Sequence, residues 1–152
     1  MSGPATRPRA RRPARHADDS RIGCGIDIVD LARFRRSVKR GGRAFLSRIY
    51  TDAELRYARS HHDAIPHLAA RFAAKEAVMK AVSQIRPGPM PAFKQIEIIN
   101  DALGRPRAVI GPRGIPDVHI SLSHDQRAAV ASAFVVAALR TRARASSRRR
   151  SR

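Results

Sequence analysis

The chain has 152 residues, 43% of them hydrophobic, and a formal net charge of +19. This length and composition predict one domain with its own core, and no apolar run approaches the roughly 18 residues that a membrane-spanning helix needs. Its single cysteine, Cys24, excludes an internal disulfide and a cysteine-based metal cluster.

The positive charge is concentrated at the two ends of the chain. Residues 1–21 contain six Arg and two Asp, and residues 140–152 contain seven Arg and no acid, so the ends carry eleven of the nineteen net charges. Both ends are poor in apolar residues, which predicts disordered basic arms around a domain at 22–139. The first arm lacks the apolar stretch of a secretory signal, so we expect a cytoplasmic protein.

The domain begins with a predicted strand and helix. Residues 22–29 are typical of a short strand, with Asp27 on the face opposite the isoleucines. Asp30 is placed to cap a helix over residues 31–40, and the glycine pair at 41–42 is expected to end it.

Two further helices are predicted before the middle of the chain. Thr51 and Glu54 have the spacing of a capping box, which opens a helix ending near residue 59. A connection at 61–66 leads to a long helix over residues 67–83. Small apolar residues cover most of one half of this helix, and charged and large side chains cover the other half.

The second half of the chain is rich in predicted strands. These strands span residues 95–100, 107–110, 118–123 and 128–138, and the last is expected to be buried on both faces. The predicted fold class is therefore α+β, an antiparallel sheet with a long central helix.

The long helix carries the charged residues that are most informative about function. They are Arg71, Lys75, Glu76 and Lys80. A carboxylate among cations suits a metal ion next to a polyanion, because the acid binds the metal and the bases bind phosphates. Taken alone, however, the helix is more often an ordinary amphipathic surface helix, in which Glu76 and Lys80 are merely an i,i+4 ion pair.

Two other elements add candidate site residues. Asp27 lies at the end of the first strand, and His124 follows the predicted strand that ends Ser-Leu-Ser. Two carboxylates from separate elements, Asp27 and Glu76, suit Mg²⁺, which keeps several waters and accepts few protein ligands. Each residue also has a plainer interpretation, since Asp27 can cap a helix and His124 can be an ordinary turn residue.

Three motifs together resemble the holo-[acyl-carrier-protein] synthases, the small class of 4′-phosphopantetheinyl transferases. The motifs are Gly-Ile-Asp-Ile-Val at 25–29, Arg-Phe-Ala-Ala-Lys-Glu-Ala at 71–77 and Ser-Leu-Ser-His-Asp at 121–125, and the resemblance spans about residues 22–137. It implies an α+β subunit that forms a homotrimer, with active sites between neighbouring subunits. It also implies transfer of 4′-phosphopantetheine from coenzyme A to a serine of acyl carrier protein, as in fatty acid biosynthesis, with release of 3′,5′-ADP.

The resemblance also implies roles for individual residues. Asp27 and Glu76 would bind Mg²⁺, and Glu76 and Lys80 would be the catalytic residues. Coenzyme A would be bound by Arg71, Lys75, Lys80 and His124. Arg33 would lie in a helix that docks acyl carrier protein, and Arg36 and Arg40 extend the basic surface of that helix.

A basic nucleic-acid-binding module is the alternative from another functional class. The charge of +19 favours it, but most of that charge lies in the arms, and aromatic residues make up only 5% of the chain. Such a module also gives no reason for Asp27 and Glu76. Nucleic acid is therefore an unlikely partner, and no membrane association is expected.

Overall fold

The computed structural model describes residues 22–86, 88–111 and 118–136. The predicted arms at 1–21 and 140–152 lie outside the described residues. In chain order the elements are β1 (Ile22–Asp30), α1 (Leu31–Ile49), α2 (Asp52–Arg59), α3 (Ala64–Ile85), a short 3₁₀ helix (Phe93–Gln95), β2 (Ile96–Asn100), β3 (Pro106–Ile110), β4 (Val118–His124) and β5 (Ala128–Val136).

The strands form two antiparallel sheets packed around the long helix α3. One sheet has the order β1–β5–β4, and the other is the β2–β3 hairpin. In the larger sheet Asp27 pairs with Ala131, and Leu122 pairs with the same residue from the other side. The predicted α+β class with antiparallel strands and a central helix is confirmed, although the strands divide between two sheets instead of forming one.

Helix α1 is longer than predicted. Asp30 caps it as expected, since its carboxylate accepts a hydrogen bond from the Arg33 backbone at 2.6 Å. Gly42 interrupts the helix with φ +52° and ψ −144°, a conformation that glycine adopts without a steric penalty. The chain then returns to helix and continues to Ile49, so the glycine pair makes a kink instead of an end.

Strand β1 lies unusually close to α3 because two of its residues have no side chain. A Cβ added to Gly23 would collide with the backbone carbonyl of Ala81, and one added to Gly25 would collide with that of Ala77. Alanines on the helix match glycines on the strand, so the two backbones approach within contact distance. This contact sets the position of Asp27, which lies two residues beyond Gly25 on the same face of β1.

Helix α3 is buried around most of its circumference. Its buried apolar residues are Ile65, Leu68, Ala69, Ala70, Ala73, Ala74, Ala77, Val78, Ala81 and Val82. Arg71 and Lys75 are buried among them, which differs from the predicted division into an apolar half and a charged half. The helix passes between the two sheets and the N-terminal helices, so even its polar side contacts protein.

The Lys75–Glu54 ion pair lies inside the core. The Lys75 ammonium is 2.7 Å from the Glu54 carboxylate, and both side chains are fully inaccessible to solvent. Lys75 also donates to the carbonyl oxygens of Ile49 and Phe93, at 2.7 and 3.0 Å. Burial lowers the pKa of Lys75, and the nearby Glu54 carboxylate opposes that shift.

Glu54 connects the predicted capping box to this ion pair. The box forms as expected, with the Thr51 hydroxyl accepting from the Glu54 backbone and the Glu54 carboxylate accepting from Thr51 N–H at 2.8 Å. The other carboxylate oxygen accepts from the Ile98 backbone at 3.0 Å. One pair of side chains therefore joins α1, α2, α3 and β2.

The outer face of the larger sheet is apolar and exposed in the single chain. Ile22, Ile26 and Ile28 of β1 are 61–69% exposed, and on β5 Phe134 and Val136 are 51% and 47% exposed. The register places Ile22 opposite Val136, so these side chains share one face. Strand β5 is therefore buried on one face only in the subunit, contrary to the prediction of burial on both.

The described helices include none that is both long and apolar enough to cross a membrane.

Replacing Lys75 with Met tests the structural role of the ion pair. We expect a loss of about 3–5 kcal/mol in the free energy of unfolding, because Glu54 would remain as an unpaired buried charge. Urea denaturation measures this change. The matched control is Arg35→Met, which breaks the exposed Arg35–Asp63 pair and should cost less than about 1 kcal/mol. Equal effects of the two substitutions would contradict the assignment.

Candidate active site

Asp27 and Lys80 meet where β1 contacts α3. The Lys80 ammonium is 2.8 Å from an Asp27 carboxylate oxygen and 2.9 Å from the Ile26 carbonyl oxygen. The Asp27 side chain is only 18% exposed, and that of Lys80 is 48% exposed. The sequence did not predict this contact, which follows from the close approach of the glycines in β1 to the helix.

Glu76 lies beside the same pair. It precedes Lys80 by one helical turn, so the two side chains leave α3 on the same side. Burial raises the pKa of Glu76, the Asp27 carboxylate raises it further, and Lys80 lowers it. Two carboxylates that repel each other beside a cation form a site where additional positive charge is stabilised.

A cleft of about 650 Å³ opens onto these carboxylates. Asp27 and Glu76 line it together with two cationic side chains, Arg33 and Arg127. The aromatic side chains of Phe34, Phe45 and Phe72 form an apolar wall. Neither Arg127 nor this wall was predicted from the sequence, because an arginine in a turn and phenylalanines in helices form no distinctive local pattern.

The donor set of this cleft fits Mg²⁺. Among the described residues, no three His, Cys, Asp or Glu side chains are grouped so that they could hold a metal by themselves. Magnesium instead takes one or two carboxylates and completes its octahedron with waters and substrate phosphates. The Lys80 ammonium, already in contact with Asp27, shows that a cation is stabilised at this position. Asp27 and Glu76 are therefore suited to hold the ion.

Arg71 lies in a second polar cluster, near the start of α3. Its guanidinium carbon is 3.8 Å from the centre of the Tyr57 ring, and it donates to the Asn100 side chain at 2.9 Å. The side chain is buried, and its Nε atom has no hydrogen-bond partner among the residues that the structure describes. Burial lowers the pKa of Arg71, and interactions with Tyr57 oppose the shift. The single subunit therefore leaves one donor of a buried guanidinium unsatisfied.

His124 belongs to this second cluster and not to the carboxylate cleft. Its ring centre is 5.4 Å from that of His67, which stacks on His61 at 3.7 Å. The sequence grouped Asp27, Glu76 and His124 as one set. In one subunit the structure instead brings Asp27, Glu76 and Lys80 together, and places His124 with Arg71 and His67.

The location of Lys75 corrects its predicted role. It was expected to contact coenzyme A, but its ammonium is enclosed and has three acceptors within 3.0 Å. Lys75 follows Arg71 by one helical turn, so sequence spacing alone suggests a shared cationic face. Lys75 instead forms a buried ion pair with Glu54, which lies 21 residues earlier in the chain. From the sequence, Glu54 was interpreted only as part of a helix cap.

The basic residues of α1 are exposed. Arg33, Arg36 and Arg40 all lie on the surface of the helix, and Arg33 alone of the three lines the carboxylate cleft. Arg35 is engaged elsewhere, because it donates to Asp63 at 2.6 Å. The helix therefore presents positive charge that begins at the cleft and continues away from it.

The sequence and the fold are both similar to those of known proteins. The family model described as the 4′-phosphopantetheinyl transferase superfamily matches residues 23–138. The holo-[acyl-carrier-protein] synthase of Koribacter versatilis is 40% identical over 122 residues, which is 75% of this chain and 97% of the relative.

Two solved structures are also similar to this chain in fold and in sequence. The crystal structure of holo-[acyl-carrier-protein] synthase from Neisseria meningitidis matches with a TM-score of 0.65 and 37% identity, covering 74% of this chain and 96% of that chain. The Helicobacter pylori enzyme, solved in complex with coenzyme A, matches with a TM-score of 0.65 and 31% identity, covering 75% and 99%. The chain therefore belongs to the holo-[acyl-carrier-protein] synthase family of the 4′-phosphopantetheinyl transferase superfamily.

Proposed function

We propose that this protein transfers the 4′-phosphopantetheine group of coenzyme A to a serine of acyl carrier protein, with Mg²⁺ as cofactor, and releases 3′,5′-ADP. The observation that supports this most is the carboxylate cleft, where Asp27 and Glu76 adjoin Lys80 and two arginines. Family membership adds the reaction class. Relatives solved with coenzyme A, such as that of Helicobacter pylori, support the donor substrate.

Each residue of the cleft has a chemical task in this reaction. The metal that Asp27 and Glu76 would hold would supply Lewis-acid polarisation of the pyrophosphate of the coenzyme. Lys80 lies within reach of the same region and is suited to neutralise charge on the departing phosphate. The serine oxygen forms a bond to the β-phosphorus as the bond to the bridging oxygen breaks, so 3′,5′-ADP leaves with the electron pair.

The serine hydroxyl must lose its proton during the attack. Glu76 is suited to accept it through a water molecule, because its pKa is already raised by burial and by Asp27. The metal, when bound, would also supply an acidified water, which is the other candidate for the base. Both alternatives place the reacting serine at the mouth of the same cleft.

Arg71 and His124 are the residues that we assign to the phosphate groups of the coenzyme. Arg71 is always cationic and retains an unused buried donor, and His124 is exposed beside His67. In one subunit this cluster and the carboxylate cleft are separate. Residues 71 and 76 lie about 7.5 Å apart along α3 and about 140° apart around it, so their side chains diverge.

A homotrimer with sites between subunits is consistent with this separation. If two subunits share a site, the Arg71–His124 cluster of one can adjoin the carboxylate cleft of the next. The exposed apolar face of β1 and β5 offers a surface for such contact, because isoleucines at 61–69% exposure are unfavourable in water.

The basic surface of α1 is the proposed docking site for acyl carrier protein. Arg33 lines the reaction cleft, so a partner bound along α1 would bring its serine to Asp27 and Glu76. Acyl carrier proteins are acidic as a family, and Arg36 and Arg40 add positive charge that steers such a partner.

The proposed substrates fit a cytoplasmic reaction. Family membership favours this transferase over the alternative of a nucleic-acid-binding module.

Replacing either carboxylate tests the metal assignment. Asp27→Asn and Glu76→Gln should each reduce transfer at least about 10²-fold, because each removes a charge that would hold Mg²⁺ over the pyrophosphate. Mass spectrometry of apo acyl carrier protein, incubated with coenzyme A and Mg²⁺, measures the transfer. The exposed carboxylate variant Asp52→Asn serves as control and should remain active. Turnover equal to wild type at limiting Mg²⁺ in either variant would show that the assignment is wrong.

Charge reversal on α1 tests the docking surface. Arg33→Glu with Arg36→Glu should raise KM for acyl carrier protein about tenfold or more, a cost of about 1.4 kcal/mol, and leave KM for coenzyme A nearly unchanged. Added salt should weaken the wild type more than the variant, because the attraction is screened. The control is Arg59→Glu with Lys94→Glu, the same charge change at exposed positions on other elements. A larger effect on coenzyme A than on the carrier protein would contradict the proposal.

A charge on the apolar face tests the homotrimer. Ile26→Lys should convert the assembly to monomers, because an ammonium group would have to be buried at the contact. Sedimentation equilibrium gives the mass directly. Leu103→Lys, at an exposed position in the β2–β3 turn, should keep the wild-type mass. A monomeric wild type would refute the proposed assembly.

A further inference from the structure

Three imidazole rings form a continuous row beside Arg71. The His61 and His67 ring centres are 3.7 Å apart with planes 33° from parallel, and His124 meets His67 edge-on at 5.4 Å. Tyr57 closes the row, 4.7 Å from His61 and 5.9 Å from His67, and its ring also carries the Arg71 guanidinium. The row joins three elements, since the residues come from α2 with the segment after it, α3 and β4.

His67 is the central member, and its surroundings disfavour a positive charge on it. Burial lowers its pKa first, and His61, His124 and Arg71 lower it further, while Asp63 alone raises it. Asp63 is itself engaged by Arg35 at 2.6 Å, which limits how much it can compensate. The Tyr57 ring packs against the His67 ring and adds no carboxylate or ammonium group beside it. Without an anion, adding a proton to His67 would place another cation beside the Arg71 guanidinium.

We propose that His67 makes coenzyme binding proton-linked: the row His61–His67–His124 with Arg71 receives a phosphate dianion of coenzyme A, and His67 takes up a proton as it binds. The inference rests on the proposed assignment of Arg71 and His124 to the coenzyme. It adds His61 and His67, which the family motifs do not include, as part of that subsite.

The direction of the pH dependence follows from electrostatics. In the free protein the pKa of His67 is lowered by burial and by the neighbouring His61, His124 and Arg71, which favours the neutral ring. A dianion beside the row favours the imidazolium, so it raises the His67 pKa and binding takes up a proton. By linkage, the affinity for coenzyme A decreases as the pH rises through this raised value. Arg71 remains charged throughout, so binding persists at high pH but is weaker.

Isothermal titration calorimetry of the intact protein with coenzyme A tests the proton uptake. Titrations at pH 7 in two buffers with different ionisation enthalpies give the number of protons bound. We expect uptake of about half a proton to one proton per coenzyme for the wild type. His67→Phe keeps an aromatic ring in the row but cannot be protonated, so its uptake should fall by at least half. The difference in affinity for coenzyme A between the wild type and His67→Phe should shrink as the pH rises.

His62→Asn is the matched control. His62 is exposed, lies next to His61 and makes no ring contact with the described aromatic residues. This variant should show wild-type proton uptake. The phosphate groups of the coenzyme titrate near pH 6 themselves, and comparison of variants with the same ligand cancels that contribution.

A second measurement does not depend on any substitution. In NMR spectra of the wild type at pH 7, adding coenzyme A should shift the His67 ring resonances toward the imidazolium position, while those of His62 stay in place.

The outcomes separate this inference from the proposed function. If the wild type binds coenzyme A and modifies acyl carrier protein, but His67→Phe leaves proton uptake unchanged and the His67 resonances do not move, the histidine inference alone is wrong. If the wild type does not bind coenzyme A, the proposed function fails and the inference fails with it.

Discussion

The close contact between β1 and α3 is the constraint on which the carboxylate cleft depends. Gly23 and Gly25 allow the strand to touch the helix backbone at Ala81 and Ala77. A side chain on either glycine would push the strand away by the width of a methyl group or more, and Asp27 would move with it. The chemistry of the cleft therefore depends on residues that contribute no functional group, because they determine how near the functional carboxylates lie to each other.

Helix α3 carries a buried structural charge and a charge that lines the cleft at neighbouring positions. Lys75 points into the core, where it bonds to Glu54 and to two carbonyl oxygens, and Glu76 points into the cleft. A rotation of about 100° separates adjacent residues, so the buried Lys75 holds the helix in the rotation that presents Glu76 to the cleft. The buried pair thus acts on the site through the helix and makes no contact with its reacting groups.

The sequence predicted the elements better than the contacts between them. Alternation, capping residues and the three motifs are local signals, and they identified the strands, the long helix and the family. They also singled out Asp27, Glu76 and Lys80, which the structure brings near one another. Burial of Lys75, separation of His124 from the carboxylates and the arrangement of His67 between two imidazoles depend on residues distant in sequence. The kink at Gly42 was also missed, because a glycine pair signals an end and a bend equally well.

The division of the polar residues into two clusters has a consequence for how the enzyme works. Coenzyme A carries several phosphate groups on one extended molecule, so on the proposed assignments one phosphate would bind at Arg71 while the pyrophosphate reacts elsewhere. Because the side chains of Arg71 and Glu76 diverge around α3, a single subunit places Glu76 in the cleft and Arg71 outside it, beside His67. Assembly would then do more than stabilise the exposed isoleucines. It would join the proposed phosphate-binding surface to the proposed reaction cleft, which would make the apolar sheet face a requirement for catalysis as well as for stability.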